Sequence, residues 1–246
     1  MTDRWLELDG LVNARDLGGL PTADGGTTRN GVVLRADNLQ DLSDKDVRRL
    51  VDELGVRTVV DLRTPDEVTR EGPGPLIGAG LRHVNLDLIP GWGTERAIPH
   101  EQREHGDLSH HYINYLDEAP DNVVAALRVL ADPAAGTAVV HCAAGKDRTG
   151  VVCALALLMA GVSRDEVVAD YALSGERIEA IRDRLAAAPS YAEDMRTRPL
   201  DDMRPRPLSM RHFLDRLDER GGVAAWLTDH GFGPDEQAAL RERLVA

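Results

Sequence analysis

Short apolar runs rich in β-branched residues alternate along this chain with segments of helical periodicity, and this alternation constrains the fold more than any other feature. Strands are predicted at 31–37, 56–64, 81–88 and 136–142. Strands that alternate with helices indicate a mainly parallel sheet with helices on both faces. We therefore expect an α/β fold with a mainly parallel central sheet flanked by helices.

Helical segments account for most of the remaining chain. They are predicted from Ser43 to Gly55, at 108–119, 120–132, 149–160, 163–173 and 176–188, and as three short helices within 208–246. The Pro-, Arg- and Asp-rich stretch 189–207 is predicted to be a linker or exposed loop, and the irregular stretch 89–107 a mobile flap. The length, 246 residues, and the 42% hydrophobic content predict one domain over 1–246 with a helical C-terminal subregion at 208–246.

The formal charge of −13 excludes a general binder of nucleic acids or acidic membranes, because the field of the whole protein repels polyanions. The two cysteines, Cys142 and Cys153, are too few for a disulfide framework. A charged N-terminus without a signal-peptide pattern predicts a cytoplasmic location, with export without a signal peptide left open. No transmembrane helix is expected, because the apolar run 151–162 is shorter than the roughly 20 residues a bilayer requires.

The stretch HCAAGKDRTG, at 141–150, joins a predicted strand to a predicted helix. A loop that wraps over a helix N-terminus directs backbone N–H groups and the positive end of the helix dipole toward its centre, which makes an anion site. That field favours the thiolate of Cys142, and Arg148 offers two parallel donors to phosphate oxygens. The predicted phosphate-binding residues are Ala143, Ala144, Gly145, Lys146, Asp147 and Arg148. Cys153, among apolar residues of the next helix, is predicted to lie in the core.

The same stretch resembles the active-site loop of the protein tyrosine phosphatase superfamily, in particular its bacterial tyrosine-phosphatase-like group. Further similar stretches are NARDLGGL at 13–20, VVDLRTPDE at 59–67, DYALSGERI at 170–178 and the C-terminal segment 221–244. The resemblance implies a two-step phosphoester hydrolysis in which Cys142 attacks phosphorus and Arg148 stabilises the equatorial oxygens. It also implies that Thr149 helps the thiolate to leave and that His141 orders the loop. A hydrogen bond at the helix start is an equal alternative for Thr149, and a buried, hydrogen-bonded imidazole is the alternative for His141. The resemblance implies that neither a metal nor another cofactor is required.

Three carboxylates are candidates for the general acid. Asp147 lies inside the loop, whereas Asp61 and Asp87 close predicted strands that bring them to the same sheet edge as Cys142. We rank Asp61 and Asp147 equally and Asp87 below them. Asp61 has a second interpretation, in which the DLRT segment at 61–64 pairs with Arg15 and Asp16 and so fixes the N-terminal segment.

Lys146 leaves the substrate class open. The resemblance implies a phosphotyrosine phosphatase that also accepts phosphoserine and phosphothreonine. A CxxGKxR loop also resembles phosphoinositide phosphatases, where an extra cation binds further phosphates, although Lys146 has an alternative partner in Asp147. A pseudophosphatase that only binds phosphorylated partners is a further alternative, and the arginine spacing argues against a sulfurtransferase.

The resemblance also implies a helical lid over 89–119. Its predicted hinges are Gly91 and Gly93. Its predicted apolar contacts are Trp92, Tyr112, Ile113 and Tyr115. The histidines of this polar stretch are predicted to be solvated surface rather than metal ligands; they are His100, His105, His110 and His111.

Overall fold

The predicted strands form a single sheet in the computed structural model, which describes residues 4–90 and 107–246. The strands of these ranges are β1 (Arg15–Asp16), β2 (Val33–Ala36), β3 (Val56–Asp61), β4 (Arg82–Asn85) and β5 (Thr137–His141). Their order across the sheet is β1-β2-β5-β3-β4. The short β1 pairs antiparallel with β2, and all other pairs are parallel. The prediction of an α/β fold with a mainly parallel sheet is confirmed.

Helices flank the sheet on both faces. The α-helices are α1 (Asp44–Arg48), α2 (Pro65–Glu71), α3 (Ser109–Glu118), α4 (Pro120–Ala131), α5 (Asp147–Met159), α6 (Arg164–Leu173), α7 (Ile178–Ala187), α8 (Ala192–Thr197), α9 (Leu200–Met203), α10 (Pro207–Glu219), α11 (Gly222–Asp229) and α12 (Pro234–Leu244). Single 3₁₀ segments lie at Pro75–Ala79, Pro133–Ala135 and Ser174–Arg177, and a π-helical segment, Arg49–Glu53, continues α1. Helix α2, which the sequence analysis did not predict, begins with Pro65 at its first position after Thr64 as the N-cap.

Successive side chains of a strand point to opposite faces of the sheet, so alternate residues of the central strands pack into two separate cores. Val60 and Val140 point into the larger core, which α3 to α6 and α10 to α12 complete. Val59 and Val139 point to the opposite face and into a smaller core. The C-terminal helices contribute buried side chains, including Phe213, to the larger core, and they pack against the helices that flank the sheet. Within the described ranges, no helix is long and apolar enough to cross a membrane.

The segment predicted as a linker or exposed loop at 189–207 instead contains α8 and α9. Met195 and Met203 are buried and share an apolar cluster with Ile181 of α7 and with Ala143. The prediction was wrong because these few apolar residues are interspersed with Pro, Arg and Asp, and only their tertiary partners reveal a buried face.

The predicted lid at 89–119 is described only in part. Both predicted hinges, one predicted apolar contact and two of the histidines lie outside the described residues. They are Gly91, Gly93, Trp92, His100 and His105. From Ser109 onward the segment forms α3, whose Tyr112 and Leu116 are fully buried in the larger core. This portion is therefore a core helix.

Candidate active site

Residues 142–146 form a tight loop between β5 and α5, at the carboxyl edge of the parallel strands. Gly145 has a φ of +63°, which favours glycine, and a Cβ atom there would lie 2.4 Å from the carbonyl oxygen of Ala36. Glycine therefore allows the loop to pass close to the end of β2. Cys142 follows β5 directly and is buried, with 2% of its surface exposed.

The carbonyl groups of this loop are held by donors outside it. Asn38 N donates to Ala143 O at 3.0 Å. Asn13 Nδ2 donates to Ala144 O at 2.8 Å, and Arg35 Nη2 to Gly145 O at 2.8 Å. Because C=O and N–H of one planar trans peptide point in opposite directions, these bonds turn the N–H groups of residues 144–146 to the other side. Those N–H groups have no acceptor among the described residues, so they are available to an anion at the N-terminus of α5.

Two stretches that the sequence analysis quoted only for their resemblance, 13–20 and 170–178, form the support of this loop. Asp170 pairs with Arg15 at 3.2 Å and with Arg35 at 2.6 Å, all three being buried. Burial alone raises the pKa of Asp170, but the two guanidinium groups outweigh burial and hold it well below its usual range. The suggested pairing of Arg15 and Asp16 with the 61–64 segment is wrong, since Arg15 pairs with Asp170 and Asp16 accepts from backbone N–H groups.

Arg148 is oriented by a carboxylate that the sequence analysis did not select. Its Nη1 and Nη2 donate to Glu67 at 2.6 and 2.8 Å, and the Tyr191 hydroxyl donates to the same carboxylate. Burial raises the pKa of Glu67, but Arg148 outweighs burial and lowers it to about 2. A capping box with Thr64 fixes Glu67 on the first turn of α2. The T-x-x-E spacing of that box is the sequence signal that was available.

Helices α7 to α9 cover the loop. Ala143 packs in an apolar cluster with Ile181, Leu185, Met195 and Met203, and Tyr191 packs against that cluster. Among the described residues, these helices, which follow the loop in sequence, pack against it, whereas most of the predicted lid at 89–119 before α3 lies outside the described residues.

Asp61 does not resemble a proton donor in this structure. It is fully buried, and Arg63 donates to its two oxygens at 2.9 and 2.6 Å. Burial raises the pKa of Asp61, but the bonded guanidinium of Arg63 helps to hold it well below its usual range, so it stays ionised. Arg63 also donates to Asn38 Oδ1 at 2.8 Å, and Asn38 N holds the loop at Ala143. Asp61 therefore supports the loop from outside.

Asp147 and Lys146 contact one another. Lys146 Nζ lies 3.4 Å from Asp147 Oδ2 and donates to the carbonyl of Met203, and only 3% of the residue is exposed. Lys146 thus has the carboxylate partner that the sequence analysis gave as its alternative role. The side chain of Asp147 is 29% exposed, and its other oxygen accepts from the Tyr112 hydroxyl at 2.6 Å.

The remaining candidate site residues are Asp87, Thr149 and His141. Asp87 is half-buried two residues beyond β4, its Oδ1 accepts from Ile89 N at 2.8 Å, and burial raises its pKa. The Thr149 hydroxyl is fully buried and has no hydrogen-bond partner in the described ranges. Burial lowers the pKa of His141 to about 4, so its neutral ring donates through Nδ1 to Cys142 O at 3.2 Å.

A cluster of three residues behind the loop has the composition of a metal site. Asp61, His83 and His141 each place a ligand atom within 4.8 Å of the others. Arg63 already donates to both oxygens of Asp61, so the charge of this carboxylate is paired with a guanidinium. The arrangement fits an ion-pair network better than a metal centre.

The chain is similar in sequence to known proteins. The family model described as "Tyrosine phosphatase family" matches residues 6–246. A putative tyrosine-protein phosphatase of Cupriavidus necator is 32% identical over 176 residues, covering 70% of this chain and 63% of that protein. The triple specificity protein phosphatase PtpB of Mycobacterium tuberculosis is 32% identical over 205 residues, covering 73% of this chain and 72% of that protein. The chain thus spans less than two thirds of the length of the Cupriavidus protein.

One solved structure illustrates the similarity at longer distance. The core catalytic domain of the S. cerevisiae PP-IP phosphatase Siw14 aligns with a TM-score of 0.42 and 15% identity, covering 90% of this chain and 98% of that one.

Proposed function

The chain belongs to the tyrosine phosphatase family, and from this premise we propose that it hydrolyses phosphotyrosine, and also phosphoserine and phosphothreonine, through a cysteinyl-phosphate intermediate. The observation that carries the proposal is the loop with the first turn of α5. The N–H groups of residues 144–146 have no acceptor among the described residues, and they lie between Cys142 at the start of the loop and Arg148 at the second position of α5. That combination supplies a nucleophile and an anion site in one place.

In the first step the Cys142 thiolate attacks phosphorus in line with the leaving oxygen. The S–P bond forms as the P–O bond to the leaving group breaks. Arg148 and the loop N–H groups bind the equatorial oxygens, where negative charge has to be stabilised. Because Glu67 already fixes the plane of the guanidinium, little reorganisation is needed when phosphate enters.

We assign the general acid to Asp147. It is the first residue of α5, directly after the loop, and its side chain is partly exposed although Tyr112 and Lys146 contact its two oxygens. Asp61, in contrast, is fully buried and ionised, and Arg63 donates to both of its oxygens. Asp147 gives its proton to the leaving oxygen in the first step. In the second step its carboxylate takes a proton from the water that attacks phosphorus, and the S–P bond breaks to restore the thiolate. The unpartnered hydroxyl of Thr149 is available to donate to the departing sulfur.

Asp87 is the second candidate for the acid, because burial raises its pKa and a carboxylic acid must be protonated to act. A phosphoinositide substrate is the alternative for the same loop. Lys146, the residue that suggested it, has Asp147 and the Met203 carbonyl as partners, which supports the protein substrate.

The test is the kcat/KM for small aryl phosphates in wild type and in Cys142→Ser, Asp147→Asn, Asp87→Asn and Asp61→Asn. We expect Cys142→Ser to abolish turnover while inorganic phosphate or vanadate still binds, because the backbone anion site remains. Asp147→Asn should reduce the rate about a hundredfold for substrates with poor leaving groups. Normal turnover by Cys142→Ser would refute the covalent mechanism, and a selective loss in Asp87→Asn alone would transfer the acid role to Asp87.

A further inference from the structure

Two buried tyrosine hydroxyls form a hydrogen-bond chain that ends at Asp147. Tyr112, on α3, donates to Asp147 Oδ1 at 2.6 Å, and the Tyr112 and Tyr171 hydroxyl oxygens are 2.6 Å apart. Tyr171 lies on α6, so three separate helices meet at this chain. The sequence analysis treated Tyr112 only as an apolar contact.

The direction of each hydrogen bond follows from the number of protons that the carboxylate and the two hydroxyls carry. An ionised carboxylate only accepts hydrogen bonds, so the single hydroxyl proton of Tyr112 points to Asp147. The Tyr112 oxygen then accepts from Tyr171. Burial raises the pKa of Tyr112 well above its ordinary value and also raises that of Tyr171, so both hydroxyls keep their protons throughout the working range.

The tyrosine rings have fixed positions. Tyr112 contacts Tyr171 edge-on, with ring centres 6.0 Å apart, and it contacts Phe213 edge-on at the same distance. Tyr112 is fully buried and Tyr171 nearly so. Such packing holds the Tyr112 hydroxyl at one point, so Oδ1 of Asp147 has one fixed donor.

We propose that Tyr112 and Tyr171 are positioning residues that select which oxygen of Asp147 exchanges a proton with the substrate. Tyr112 is hydrogen-bonded to Oδ1. Oδ2, which faces the Lys146 ammonium at 3.4 Å, is then the oxygen that carries the proton to the leaving group. Tyr171 donates to the Tyr112 oxygen, which fixes the rotation of the Tyr112 hydroxyl. The Tyr112 O–H bond therefore stays directed at Asp147. This inference rests on the proposed function and on Asp147 as its acid.

The chain offers a matched control. Tyr115 lies one turn along the same helix, is also buried, and its ring centre is 6.1 Å from that of Tyr112. Its hydroxyl makes no hydrogen bond to another side chain in the described ranges. Tyr115→Phe therefore removes a buried hydroxyl from the same helix without altering the hydrogen-bond chain.

The experiment compares kcat/KM for phenyl phosphate, whose leaving oxygen needs a proton, with p-nitrophenyl phosphate, whose leaving oxygen needs one much less. Tyr112→Phe should lower kcat/KM for phenyl phosphate about tenfold or more and that for p-nitrophenyl phosphate by less than about threefold, since misplacing a catalytic group is costly only where it acts. Tyr171→Phe should show the same selectivity with a smaller loss. Tyr115→Phe should change kcat/KM for the two substrates by the same factor, because the Tyr115 hydroxyl is not hydrogen-bonded to Asp147.

Equal losses on both substrates in Tyr112→Phe and Tyr171→Phe would mean that the tyrosines serve only packing, and no loss in either would also overturn the inference. Asp147→Asn, assayed in parallel, separates the inference from its premise. If Asp147→Asn shows the leaving-group selectivity and the tyrosine variants do not, the inference alone fails. If Asp147→Asn shows none, the acid assignment fails and the inference with it, while Cys142→Ser reports on the covalent mechanism independently.

Discussion

Glu67→Gln tests the buried ion pair that orients Arg148. The pKa of Glu67 falls from its ordinary 4.5 to about 2 in the folded protein. This difference corresponds to about 3 kcal/mol of folding stability, at about 1.4 kcal/mol for each tenfold change in proton affinity. The folded-state pKa is the lower of the two, so the stabilisation is fully present above about pH 4.5 and is lost as the pH falls toward about 2. Glutamine cannot ionise, so the variant lacks this contribution.

The assay is urea unfolding of wild type and Glu67→Gln at several pH values between neutrality and about pH 2. We expect the variant to be less stable by about 3 kcal/mol near neutral pH, and the gap to narrow as the pH falls below about 4.5. Asp66→Asn is the control, because Asp66 lies on the same helix in an exposed pair with Arg70 and such pairs contribute little. A gap between wild type and Glu67→Gln that stays constant down to about pH 2 would refute the reasoning.

Three further predictions follow from the loop. Arg148→Lys should lose kcat/KM about a hundredfold, because a point charge replaces neither the two contacts to Glu67 nor those to phosphate; near-normal kinetics would contradict the geometry. Oxidation should produce a sulfenic acid at Cys142 that external thiols reverse, since burial raises the pKa of Cys153 to about 11 and leaves it unreactive; a disulfide between Cys142 and Cys153 as the main product in mass spectrometry would contradict this. Lys146→Ala should reduce kcat/KM for a phosphotyrosine peptide and a phosphoinositide by the same factor, because Lys146 is buried against Asp147 and Met203; a loss of about tenfold confined to the phosphoinositide would instead support the lipid substrate.

The central strands and the loop could be predicted from the sequence because their signals are local. Val56–Asp61 and Thr137–His141 are β-branched runs that are buried on both faces, and the loop follows the second run directly. The strand–loop–helix order alone places Cys142 at the N-terminus of α5. Such predictions do not require knowledge of the tertiary contacts between distant residues.

The surroundings of the loop could not be predicted in the same way, because they depend on contacts between distant parts of the chain. Tyr191 and Glu67 are 124 residues apart, and Tyr112 and Asp147 are 35 apart. A tyrosine in an apolar helix pattern is expected to fill space, and nothing in its local sequence shows that its hydroxyl meets a carboxylate. The identity of the acid depends on the same contacts. Asp61 ends β3 and Asp147 begins α5 after β5, and only their tertiary partners show that Asp61 is buried against Arg63 while Asp147 stays partly exposed.

These distant contacts also determine whether the loop can bind an anion at all. A peptide group presents its N–H opposite its C=O, so an inward N–H at positions 144–146 requires an outward carbonyl with a donor of its own. Those donors are the backbone of Asn38 and the side chains of Asn13 and Arg35. Without Asn13 and Arg35, a buried carbonyl would lack a partner at a cost of about 1–3 kcal/mol each, and rotation of the peptide to recover a donor would withdraw its N–H from phosphate. The loop sequence is therefore insufficient by itself, and the proposed phosphate site also depends on Asn13 and Arg35.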